Sequence, residues 1–139
     1  MEKPKELIIR LADEKNWHQI DAAFGNAGGI YRLYATQNGK PIPVPRALAN
    51  DAAGTLYIGK ADSFLNRVIE LKKSCLPNYL TASHKAGVRY KNHPGLQARY
   101  PLEDLMVLLA EVQNPAETER QALDLYVAQF GEVPPLNAI

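Results

Sequence analysis

From Leu105 to Val112 the chain runs almost unbroken through apolar residues, and Asn114-Pro115-Ala116-Glu117 follows directly. Such a run is far too short to span a membrane and has the length of a central strand buried on both faces. Asn as N-cap, Pro at the first helical position and Glu at the third then open a helix that Gly131 ends. A buried strand feeding a capped helix requires a sheet with helices packed on it, which places the chain in the α/β class.

The 139 residues, 46% hydrophobic and 22% charged, suffice for one core, and no linker or low-complexity tract divides them, so residues 1–139 read as a single domain. Cys75 is the one cysteine, which excludes a disulfide scaffold and four-cysteine or Cys2His2 zinc sites and points to a reducing compartment. No run approaches 18 apolar residues, and Met1 to Glu6 lack an apolar signal core. The expectation is a cytoplasmic protein with no membrane partner, monomeric or homodimeric.

Leu7, Ile8, Leu11 and Ile20 suggest an N-terminal helix from Pro4 to about Ile20. Gly25 to Gly29 break it, and Ile30 to Ala35 read as a strand. Pro41, Pro43 and Pro45 mark a loop or edge excursion, and Thr55 to Gly59 a second strand. Asp62 or Ser63 can cap a helix to about Lys73, with Phe64, Leu65, Val68 and Leu71 as its apolar stripe. Leu76 to Tyr100 reads mostly as loop, with a short strand near Val88. The expected fold is a small three-stranded mixed or antiparallel sheet flanked by helices.

The formal net charge of +1 conceals segregation: Lys60 to Arg99 carries +6, Tyr100 to Ile139 carries −6. A basic segment interleaved with Tyr79, His84, Tyr90, His93 and Tyr100 suits a phosphate-binding surface, while a solvated loop neutralised by the acidic third is the plain alternative. In the last helix Ala116, Leu123, Tyr126 and Phe130 lie within roughly 60° of Glu119, at about 100° per residue. A carboxylate inside an apolar stripe needs a cation, a hydrogen bond or a metal, so Glu119 is a site candidate, with a salt bridge to a buried arginine such as Arg67, or simple exposure at the stripe's end in the first turns, as the alternatives. Glu117 is explained by capping.

Gly29-Ile30-Tyr31 opens the first strand and Tyr57-Ile58-Gly59 closes the second. With Gly59-Lys60-Ala61-Asp62-Ser63, Arg67 on the next helix, Glu119 late in the chain and Pro134-Pro135-Leu136-Asn137 after it, this ordered set resembles the GIY-YIG nuclease superfamily over Gly29 to Asn137. The resemblance implies an endonuclease that hydrolyses DNA phosphodiester bonds with one divalent cation, Mg2+ or Mn2+. It implies that Glu119 holds the metal, Tyr31 helps activate the attacking water, Tyr57 lines the site, Arg67 binds the scissile phosphate and Asn137 ties the C-terminal segment to the site. These residue types suit the chemistry. A hard cation needs few protein oxygens, a guanidinium stabilises charge on phosphoryl oxygens, and a tyrosine with an ordinary pKa near 10 needs a cation such as Lys60 or the metal to act as a base.

Two features depart from the family pattern. Arg32 to Leu56, 25 residues, is a long, proline-containing insertion between the triplets. Leu71 occupies the position one turn after Arg67 where many relatives have histidine, for which His84 is the best substitute. Lys60, Lys72, Lys85, Arg89 and Lys91 are the expected backbone-contacting cations. The alternative function is a catalytically impaired nucleic-acid-binding module, or a partner subunit, on the same fold.

Overall fold

A computed structural model describes residues 4–79 and 83–137; within the segment Leu76 to Tyr100, residues 80–82 lie outside the described ones. In chain order the elements are β1 (Glu6–Arg10), α1 (Asn16–Phe24), β2 (Gly29–Gln37), β3 (Lys40–Pro41), β4 (Val44–Pro45), β5 (Asn50–Asp51), β6 (Thr55–Ala61), α2 (Phe64–Cys75), α3 (Lys85–Lys91), α4 (Pro94–Arg99), β7 (Leu105–Glu111) and α5 (Pro115–Phe130). The main sheet is antiparallel in the order β1-β7-β2, with β6 and then the two-residue β3 paired along the other edge of β2. This is a small α/β protein of the expected class, its sheet of five strands gaining the two-residue β3 and, at the other edge, the strand β1.

That strand replaces most of the expected N-terminal helix. Leu7, Ile9 and Leu11 turn inward while Glu6, Ile8 and Arg10 are exposed, an alternation of period two that pairs with β7 in the register Glu6↔Ala110 to Arg10↔Met106. Leu7, Ile8 and Leu11 also fit helical spacing, and pairing with a strand from the far end of the chain decides between the two. The helix starts only at Asn16, whose side chain donates to the carbonyls of Arg10 and Leu11.

Helices also replace the loop and short strand expected between Leu76 and Tyr100. His84 Nδ1 accepts from the Ala86 amide and starts α3, which contains Val88. His93 Nδ1 accepts from the Leu96 amide and starts α4, with Pro94 in its first turn. Imidazole here does what Ser or Asp does at most helix starts.

The main core lies on one face of the sheet, where Ile9, Leu33, Val107 and Leu109 pack against Ile20, Phe64, Val68 and Leu71 from the helices. On the other face α5 covers only part of the sheet, packing Tyr126 and Phe130 on Ile58 of β6. β7 is therefore buried on one face and half-buried on the other, at Met106 and Leu108, rather than buried on both. The insertion folds as β3 and the β4–β5 hairpin, whose Arg46 pairs with Glu132 at 2.9 Å beyond the end of α5.

Candidate active site

The two triplets lie side by side on adjacent strands, with Tyr31 opposite Gly59. A Cβ at residue 59 would stand 2.5 Å from the Tyr57 ring and 2.7 Å from the Tyr31 hydroxyl. Only glycine leaves both rings their places, 5.8 Å apart between centroids. After β6 the chain turns through Asp62 into α2, where Ser63 Oγ accepts from the Asn66 amide and sets the start of the helix that carries Arg67.

Tyr57, Lys60, Asp62, Arg67 and Glu119 line one open cleft of about 350 Å3. Tyr31 lies behind this wall, 2% exposed. Burial, aided by Tyr57, pushes its hydroxyl above the ordinary value near 10, while the adjacent Arg67 guanidinium pulls it back. Tyr31 is thus a neutral hydroxyl at pH 7, and acts as a base only with positive charge beside it.

His84 reaches the same place from α3. It is fully buried, its Nε2 is 2.6 Å from Tyr31 Oη, and its backbone amide donates to Ser74 Oγ at 2.8 Å. Because Nδ1 already accepts a backbone N–H, the neutral ring carries its proton on Nε2 and donates it to the Tyr31 oxygen. Burial first and Arg67 second bring the imidazole down to about 4. It is a neutral hydrogen-bond donor rather than an acid store. Leu71 is fully buried in the core, and the imidazole at Tyr31 comes from His84 at the start of α3.

Glu119 is half-buried at the cleft rather than enclosed in the apolar stripe. The packed part of α5 begins one turn later, at Ala122 and Leu123. Among the described residues Glu119 has no hydrogen-bond or ion-pair partner, whereas Glu117 pairs with Arg120. No group of three or more His, Cys, Asp or Glu side chains among the described residues is placed to enclose a metal ion. A carboxylate with open space around it fits a hard cation that keeps most of its waters and takes substrate oxygens, and does not fit a closed structural site.

Asn137 pairs with the backbone of Ile58 in both directions: its Oδ1 accepts from the Ile58 amide at 3.0 Å and its Nδ2 donates to the Ile58 carbonyl at 2.9 Å. With Leu136 N–H donating to Leu56 O, residues 136 and 137 cover the outer edge of β6 and hold the strand bearing Tyr57.

The expected cation surface divides. Lys60 lines the cleft, and Lys85 is exposed beside His84. Lys72 donates to the Asp13 carbonyl, Lys91 to the Tyr79 carbonyl and Arg89 to the Leu136 carbonyl at 2.6 Å, so each of these three is tied to a backbone carbonyl of the fold. Ser74 was not among the sequence candidates, since a serine in the last turn of a helix carries no pattern. Asp62 sits in the quoted triplet-to-helix turn and was assigned to capping.

Comparison of the chain with protein-family models, with curated proteins and with solved structures finds no match.

Proposed function

We propose that the chain is a metal-dependent endonuclease of GIY-YIG type acting on DNA phosphodiester bonds. The observation that carries this reading is the convergence on one cleft of the Arg67 guanidinium, Tyr57 and the Glu119 carboxylate, which has no partner among the described residues, with the buried Tyr31–His84 pair beside Arg67. A divalent cation at Glu119 would supply charge to the substrate oxygens and lower the pKa of a bound water.

The remaining work falls to protein groups. Arg67 neutralises charge growing on the non-bridging oxygens. Tyr31 would act as its phenolate, its proton having passed to solvent when the cation and Arg67 offset the negative charge, and would then take a proton from the attacking water. His84 Nε2–H, already on the tyrosine oxygen, supports that charge by a hydrogen bond. Water oxygen bonds to phosphorus, one ester P–O bond breaks, and the leaving oxygen takes a proton from solvent, leaving a phosphomonoester and a hydroxyl. Lys60 and Lys85 hold the neighbouring phosphates.

Supercoiled plasmid incubated with purified protein should be nicked in Mg2+ or Mn2+ and untouched in EDTA. Cleavage that persists in EDTA would exclude the metal assignment. Binding without cleavage in either metal would favour a binding module, the reading that Leu71 at the family's histidine position supports. The free, buried Cys75, its thiol pushed up to about 12 by burial, suits a reducing, cytoplasmic setting. Among the described residues no helix is long and apolar enough to cross a membrane.

A further inference from the structure

β1 forms one edge of the sheet. Lys5 O accepts from the Glu111 amide and Leu11 N–H donates to Leu105 O, so the odd-numbered residues of β1 spend their backbone groups on β7. The backbone groups of Glu6, Ile8 and Arg10 therefore point away from the sheet. Among the described residues those of Glu6 and Ile8 have no partner, while the Arg10 carbonyl accepts from Asp13 and Asn16. The side chains of these same three residues are exposed, Ile8 by 53%; neither Glu6 nor Arg10 makes an ion pair among the described residues, and the Arg10 guanidinium spends one N–H on the Glu103 carbonyl at 2.6 Å, leaving its others for a carboxylate.

We propose that this edge pairs with the same edge of a second copy of the chain, antiparallel and centred on Ile8. In that register Ile8 faces Ile8, and Glu6 of each copy faces Arg10 of the other on the same side of the joined sheet. The two Ile8 residues exchange a pair of N–H···O=C bonds, and each Arg10 amide donates to the opposing Glu6 carbonyl.

The alternatives are worse. Parallel pairing sets Glu6 beside Glu6, and a two-residue slip sets Glu6 or Arg10, according to its direction, against Ile8 and leaves the other charge without its partner. Like charges directly opposite destabilise a pair, and opposite ones stabilise it. Edge charges often keep copies apart, but this spacing makes them self-complementary. Pro4 has no N–H to extend the ladder, and the turn after Arg10 closes its other end. The pairing is thus confined to five residues and is a weak, reversible association, as interfaces below about 1,200 Å2 usually are. The resulting sheet places β6 and its cleft at each far edge, so the two sites face outward independently of the interface.

Sedimentation equilibrium of the full chain tests this, from about 10 μM to about 1 mM, the range in which interfaces this small associate. The weight-average mass should climb from 15.4 kDa toward twice that value. Arg10→Glu and, separately, Glu6→Arg should hold it at the monomer value, and the double exchange Glu6→Arg/Arg10→Glu should restore the climb. Amide shifts of Glu6, Ile8 and Arg10 should move with concentration in the wild type and in the double exchange only. A wild type that stays at 15.4 kDa overturns the proposal. So does a single variant that associates like the wild type, or a folded double exchange that stays monomeric.

Discussion

The Tyr126 hydroxyl donates to Asp51 Oδ2 at 2.9 Å, a buried contact between residues 75 apart in sequence. Asp51 lies in the insertion between the two triplets and also accepts from the amides of Ala53, Gly54 and Thr55. One carboxylate thereby joins the insertion, the start of β6 and α5. Tyr126 lies seven residues after Glu119, on the same face of α5. Tyr126→Phe should cost about 1–2 kcal/mol, and Asp51→Ala about 3–5 kcal/mol because it orphans three donors, the amides of Ala53 and Thr55 and the Tyr126 hydroxyl, while Gly54 keeps the Asp51 backbone carbonyl. Urea denaturation of both variants measures this, and equal costs would show that the backbone amides find other partners.

Stability should respond to pH through His84. Its imidazole titrates near 4 in the folded chain against an ordinary 6.5. Between these values the unfolded chain binds a proton that the folded chain does not. The contribution is fully present above about pH 6.5 and is lost as the pH falls toward 4, by up to about 3 kcal/mol. His84→Asn keeps a cap for α3 and removes the titration, so its urea midpoints at about pH 7.5 and about pH 4.5 should differ less than those of the wild type. An identical gap in both proteins would assign the acid lability to other groups.

Glu119→Gln changes one charge at a half-exposed position and should leave the thermal midpoint within a few degrees. Metal-dependent nicking should fall by at least about 100-fold while affinity for DNA without metal stays level or rises, since the cleft loses a negative charge. Nicking at wild-type rate would remove Glu119 from the site.

Salt dependence separates phosphate contacts from structural cations. Lys60→Ala/Lys85→Ala should flatten the plot of log affinity against log salt by up to about two units. Arg89→Ala should leave that slope unchanged and lower stability, because its guanidinium holds the Leu136 carbonyl. A slope that drops with Arg89→Ala would put DNA across α3.

Gly59→Ala should cost about 1–3 kcal/mol through overpacking against Tyr31 and Tyr57. The change should broaden or shift the ring resonances of both tyrosines, and unchanged ring spectra would mean that the β6 backbone absorbs the methyl.

Elements with local signals were legible in the sequence, and those fixed by distant partners were not. α5 declared both ends, with Asn114 and Pro115 at one and Gly131, in the left-handed conformation, at the other. β2 and β6 carried the alternation and aromatic content of strands. β1 was misread because Leu7, Ile8 and Leu11 satisfy two periods at once. α3 and α4 were missed because histidine is a rare cap. At the site, Tyr31, Tyr57 and Arg67 were grouped by the family resemblance that their ordered motifs carry. The contact of His84 with Tyr31 depends on α3 packing against α2 at Gly87, where a Cβ would meet Ser74 Cβ at 2.5 Å, and nothing in the spacing of residues 31 and 84 signals it.

The pairing of Asn137 with Ile58, 79 residues earlier, sets the order of events during synthesis. A growing chain can form β2, β6 and α2 while residue 137 is still inside the ribosome, but the outer edge of β6 then has no cover. Closing a loop of this length is slow relative to local contacts. The strand bearing Tyr57 reaches its final support only after residue 137 has emerged, so the cleft is completed well after its own strands have been made.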